Sequence, residues 1–176
     1  MVIGFAGRIG AGKTCAAEYL SSKYGFQYAR YSQILREWLF PGPADRDRVR
    51  MLGWEVMSGG RQVELNARLI AGLDRSRSAA IDGIRHSIDH ASLSDAFGAS
   101  FRMIFLEVHR EVRYERLLSR FSDCDAFQAA ESAPVEAHID SLKALASTTI
   151  SNEASMEDFY QRLDAWAAAC GIGDRE

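Results

Sequence analysis

Residues 7–14 read Gly-Arg-Ile-Gly-Ala-Gly-Lys-Thr, a glycine-rich octet set between an apolar run and a helix-forming stretch. No other segment limits the fold as tightly. The pattern is G-x-x-x-x-G-K-[ST]. Its glycines permit backbone turns that bring successive amides inward, toward an anion. A helix opening near Lys13 would add the positive end of its dipole at the same point. Gly7, Arg8, Ile9, Gly10, Ala11 and Gly12 thus form a predicted phosphate cradle. Lys13 is expected to reach the outer phosphates of a nucleoside triphosphate, and Thr14 to offer its hydroxyl to magnesium. Cys15 continues the nucleotide-binding stretch, with its thiol expected to face the sheet. The rival dinucleotide fingerprint, G-x-G-x-x-G, requires glycine where Cys15 stands.

The rest of the chain alternates strands with helices. Val2–Ala6 is a short apolar strand, followed by a helix from about Lys13 to Tyr24 and a weak strand at Gln27–Arg30. Ser32 is the expected N-cap of a helix that stops at Pro41-Gly42-Pro43. Residues from about Ala44 to Arg77 read as helical, broken near Ser58-Gly59-Gly60. Strands follow at Ala79–Asp82, Phe101–Val108 and Thr148–Ser151, with helices at about Glu111–Phe121, Pro134–Ala146 and Met156–Cys170. Such alternation predicts an α/β fold with a parallel sheet covered on both faces, in one domain spanning residues 1–176.

Composition excludes several classes. With 176 residues, 47% hydrophobic and 26% charged, the chain is globular in make-up. A net charge of −3 leaves no broad basic field for nucleic acid. Cys15, Cys124 and Cys170 are far apart and odd in number, as expected of reduced thiols in the cytoplasm. The apolar N-terminal run is too short for a membrane span, and no membrane or nucleic-acid partner is expected. Of the 21 basic residues only Lys13, Lys23 and Lys143 are lysines; the rest are arginine, whose planar fork suits phosphate.

Position must decide which arginines matter. Asp82 closes an apolar strand and is followed by Gly83-Ile84-Arg85, at the sheet end where the glycine-rich loop lies. Asp82 could serve magnesium through water, orient an acceptor, or merely cap the next helix; Arg85 could grip an acceptor phosphate or be solvated. In the helix after the fourth strand, Tyr114, Leu117, Leu118 and Phe121 form an expected core-facing stripe. Arg113, Arg116 and Arg120 fall on a separate one. Arg116 and Arg120 are candidates for stabilising a transferring phosphoryl group, with a solvated face as the alternative. His86 and His90, at i and i+4, lack an evident third metal ligand. Trp38, Phe40 and Trp54 could stack a base or pack in the core.

Together these segments resemble the nucleoside-monophosphate-kinase-like P-loop kinases, a group that includes adenylate kinase and dephospho-CoA kinase. The likeness rests on IGFAGRIGAGKT, YSQILREWL, AIDGIR, FLEV with RYERLLSR, and ASTTISNEASM, in that order along the chain. It implies a three-layer P-loop fold with five parallel strands in the order two-three-one-four-five, a helical acceptor-binding insertion at about 32–77 and a short lid at about 121–134. It also implies ATP and magnesium as ligands, and transfer of the γ-phosphoryl group to a small, nucleotide-like acceptor by a monomer or homodimer. Arg36 would contact the acceptor's phosphate, and Asn152 would border the adenine. The chain departs from the pattern in two places. Ser122–His138 contains no Arg or Lys, and the second strand ends Tyr28-Ala29-Arg30-Tyr31 with no aspartate. The basic-free lid favours a second reading: a nucleotide-binding regulatory module, or a slow ATPase without an acceptor.

Overall fold

A computed structural model describes residues 1–40, 42, 45–121 and 123–173. Five strands run parallel in one sheet: β1 (Val2–Ala6), β2 (Gln27–Arg30), β3 (Ala79–Ile84), β4 (Phe101–Glu107) and β5 (Thr148–Ser151). Their order is β2-β3-β1-β4-β5, as the resemblance implied. The helices are α1 (Lys13–Tyr24), α2 (Tyr31–Leu39), α3 (Arg46–Ser58), α4 (Gln62–Ala71), α5 (Ser87–Phe97), α6 (Arg110–Leu117), α7 (Cys124–Glu131) and α8 (Met156–Ala169).

Period-two alternation along the central strands builds the layers. Val2 and Ala6 of β1, Ala79 and Ile81 of β3, and Met103 and Phe105 of β4 face one cluster, which includes Leu35, Leu65, Leu69 and Leu93. Ile3 and Phe5, Ala80, and Ile104 and Leu106 face the other, with Ala16, Leu20, Phe159 and Leu163 from α1 and α8. The sheet is thus buried on both sides between helical layers. Among the described residues no helix is long and apolar enough to cross a membrane.

Several boundaries depart from the sequence expectations. Helix α2 begins at Tyr31 with Arg30 at its N-cap, so Ser32 lies inside the first turn and caps nothing. Pro41 and Pro43, its expected stop, and Ala44 and Ser122 lie outside the described residues. Asp45 caps α3 by accepting from the Arg48 amide at 2.7 Å. Strand β3 runs on to Ile84 because Gly83, at φ 98°, forms a bulge where the register against β1 shifts. Helix α6 ends at Leu117, and Leu118 is exposed instead of core-facing. The expected helix at 134–146 is two 3₁₀ segments, Pro134–Glu136 and Asp140–Leu145. Buried Val135, Ile139 and Leu142 anchor that stretch at a spacing of three to four residues.

Candidate active site

Every part of the site comes from the carboxyl ends of the strands. The loop after β1 needs glycine at three points, since Gly7, Gly10 and Gly12 have φ of 142°, 83° and 98°. Side chains would also collide there: an added Cβ would lie 2.6 Å from the Leu106 carbonyl at Gly7 and 2.5 Å from Asn152 Nδ2 at Gly12. Helix α1 then starts at Lys13, so the amides of Lys13, Thr14 and Cys15 have no acceptor within the helix and face the loop's mouth. The Cys15 side chain is half-buried and packs toward the α1–α8 side of the sheet.

Lys13 lies almost wholly out of water and reaches across the loop. Its Nζ donates to the carbonyls of Gly7 at 2.5 Å and Arg8 at 3.0 Å. Burial pushes its pKa down from 10.5 to about 8, with nearby Glu136 acting in the opposite direction. Thr14 Oγ1 donates to Asp82 Oδ2 at 2.7 Å. The same carboxylate receives Tyr28 Oη at 3.1 Å and faces Arg30 Nε at 3.3 Å. Burial first, then the Asp82 charge, raises the Tyr28 phenol. A hydroxyl and a carboxylate this close are hard oxygen donors of the kind magnesium takes in company with phosphate and water, so the residues fit that ion. Among the described residues no cluster of three or more His, Cys, Asp or Glu forms a separate metal cage.

The crest of the loop is held by the chain that follows β4. Arg8 makes a two-pronged pair with Asp140, at 2.9 and 2.5 Å. Ile9 packs against Phe127 and Ala130 of α7. Arg113 is 4% exposed; it donates to the Ile9 carbonyl at 3.1 Å and pairs with Glu131. It therefore braces the loop instead of joining an open arginine stripe. Asn152 is likewise buried, its Nδ2 donating to the Ala11 carbonyl at 3.0 Å and its Oδ1 accepting from Arg116 Nη2 at 3.4 Å.

Arg116 and Arg120, expected together, part company. Arg116 turns to Asn152 and Ala154. Arg120 follows the end of α6 and lines a cavity of about 510 Å³ with Arg46, Asp47, Phe121 and Ala126. Burial, then Arg46 and Arg50, lowers the Arg120 pKa; Arg85 adds to the same effect. Among the described residues neither Arg46 nor Arg120 has an ion-pair partner. Asp47, which also lines the cavity, pairs with Arg50 at 2.9 Å and offsets part of this charge, leaving a net positive lining. Arg85 stands between this cluster and the loop, its Nη1 3.3 Å from Glu136 Oε1. Its backbone is set by Asp89, which accepts the amides of Arg85 and His86 at 3.0 and 2.9 Å and side-chain bonds from Gln62 and Asn66. Arg36 is exposed, its Nε donating to the Ser32 carbonyl at 3.3 Å, and no contact among the described residues joins it to the cluster. Sequence reasoning missed Arg30, Arg46, Arg50 and Glu136. Their one available signal was membership of the insertion, of the end of the second strand, or of the stretch after the lid.

The fold is shared with known structures. A shikimate kinase from Acinetobacter baumannii in complex with shikimate superposes with a TM-score of 0.62 at 16% identity, covering 98% of this chain and 95% of that one. A shikimate kinase from Bacteroides thetaiotaomicron gives 0.63 at 12% identity over 98% and 99%. The fold is that of the small P-loop kinases. TT1252 from Thermus thermophilus superposes at 21% identity with a TM-score of 0.59, over 96% of this chain and 97% of that one. No protein-family model and no curated protein matches the sequence.

Proposed function

We propose that the protein is an ATP-dependent phosphotransferase acting on a small anionic acceptor. One observation carries this reading: a glycine-rich loop with its buried lysine opens beside a cavity lined by Arg46 and Arg120, neither with an ion-pair partner among the described residues, and by Asp47, which pairs with Arg50 at 2.9 Å. Donor phosphates would lie on the amides of Gly10–Cys15, with Lys13 leaving the Gly7 and Arg8 carbonyls to meet them. Thr14 and Asp82 would hold magnesium, which supplies charge neutralisation across the outer phosphates. Arg85, Arg120, Arg46 and Arg50 would hold the acceptor's anion. Arg116 would lie on the Asn152 side, toward the nucleoside. Residues 121–134 would act as a lid whose closure on Ile9 excludes water, so that the phosphoryl group is not lost to hydrolysis.

Acceptor-dependent ADP release over a panel of nucleoside monophosphates, dephospho-CoA, hydroxy acids and sugars tests this reading. Turnover on an acceptor supports it. ATP binding without turnover on any member would favour the regulatory module or slow ATPase, which the basic-free stretch Ser122–His138 also suits.

A further inference from the structure

One buried acid has no part in the reading above. Glu136 ends the 3₁₀ turn Pro134–Glu136 and is 2% exposed. Its Oε1 faces Arg85, while its Oε2 is buried with no hydrogen-bond partner. A carboxylate oxygen held from water without a donor costs roughly 1–3 kcal/mol or more, so such an atom calls for an explanation. Its setting supplies one. Of all the charges acting on Lys13, that of Glu136 is the largest, with Arg85 next. Arg85 in turn acts on Arg120, beside Arg46 and Arg50. A row of charge thus runs from the phosphate loop through Glu136 and Arg85 to the arginine-lined cavity; Glu136 is the acid between Lys13 and Arg85, while Asp82 lies on the Thr14 side and Asp47 in the cavity.

A phosphate nucleophile is already anionic; it needs no base, and a carboxylate in a dry pocket would repel it. A hydroxyl, by contrast, must lose a proton as it attacks, and Oε2 is a buried acceptor with no donor bonded to it. We infer that Glu136 is a catalytic residue that takes the proton of an alcohol, so the acceptor carries a hydroxyl nucleophile and a separate anionic group. This inference rests on the kinase reading. In the step, the acceptor oxygen bonds to the γ-phosphorus of ATP as its proton passes to Oε2. The bond from that phosphorus to the β–γ bridging oxygen breaks, and ADP leaves with the electron pair. Protonated Glu136 then returns its proton to solvent.

The test measures ADP release with two sets of acceptors, each at saturating MgATP. One set is alcohols bearing an anion: shikimate, D-gluconate, glycerol 3-phosphate and dephospho-CoA. The other is AMP, CMP, GMP and UMP, which accept through phosphate. Turnover is expected in the first set. On the acceptor found there, Glu136→Gln should lower kcat about 100-fold or more while binding of mant-ATP stays within about twofold of wild type. Formate should restore part of the activity of Glu136→Ala. If Glu136→Gln does not fold, Glu136→Asp keeps the charge but shortens the reach, and should lower kcat about tenfold or more with mant-ATP binding intact. Turnover confined to the nucleoside monophosphates would leave the kinase reading standing and remove the role of Glu136. So would unchanged kcat in Glu136→Gln or Glu136→Asp; tighter mant-ATP binding alongside it would make the residue a counter-ion that phosphate displaces. A protein that binds mant-ATP but releases no ADP with either set overturns the kinase reading and this assignment together.

Discussion

Replacing Lys13 with methionine should stabilise the ligand-free protein while abolishing its response to nucleotide. Burial holds the Lys13 pKa near 8 instead of 10.5. At about 1.4 kcal/mol per pH unit, keeping that ammonium charged below pH 8 costs the fold about 3 kcal/mol. Methionine removes this cost but forfeits the bonds to the Gly7 and Arg8 carbonyls, about 1 kcal/mol each. The net gain is about 1 kcal/mol, or a rise of roughly 2–4 °C in Tm for a chain of this size. The effect has a pH signature. Below pH 8 the lysine is charged both folded and unfolded, and the penalty is full. Between about 8 and 10.5 the folded protein sheds the proton that the unfolded chain keeps, so wild type gains stability as pH rises and the gap closes. Thermal melts of both proteins from pH 6.5 to 10.5, with and without MgATP, read all three effects. A variant less stable than wild type at pH 7, with a gap that pH leaves unchanged, would refute the reasoning.

Two further outcomes follow from the packing. Arg120→Ala should raise the acceptor's KM about tenfold or more, since a charge-assisted contact is worth about 1.5–3 kcal/mol; calorimetry should show ATP affinity unchanged. Glu131→Ala strands the buried Arg113 guanidinium and should cost about 3–5 kcal/mol in urea unfolding, as the loss of one partner of a buried pair does.

The phosphate loop was legible because it is local: eight consecutive residues carry the conformational demand and the chemistry together. The three central strands were legible because each is a short, largely apolar run; β2 and β5, polar and half-buried, were legible only from their place in the strand–helix alternation, and the strand order followed from the family likeness. What escaped depends on contacts far apart in the chain. Arg113 falls on an arginine stripe by spacing, but Glu131 and the Ile9 carbonyl draw it into the interior. Leu118 fits the apolar stripe, yet α6 ends at Leu117 and turns it outward. The segment 134–146 has helix-like spacing but folds as two 3₁₀ pieces, which brings Asp140 to Arg8 and Glu136 toward Lys13. Arg46 and Arg50 become candidates only once α3 is seen beside Arg120. In an arginine-rich sequence, composition could not single them out.

Everything proposed for this chain depends on the loop after β1 receiving nucleotide phosphates. Isothermal titration of the folded protein with MgATP tests that directly. The account predicts one site per chain, lost in Lys13→Ala although its circular dichroism matches wild type. Absence of binding to wild type, or binding that Lys13→Ala leaves intact, would contradict it.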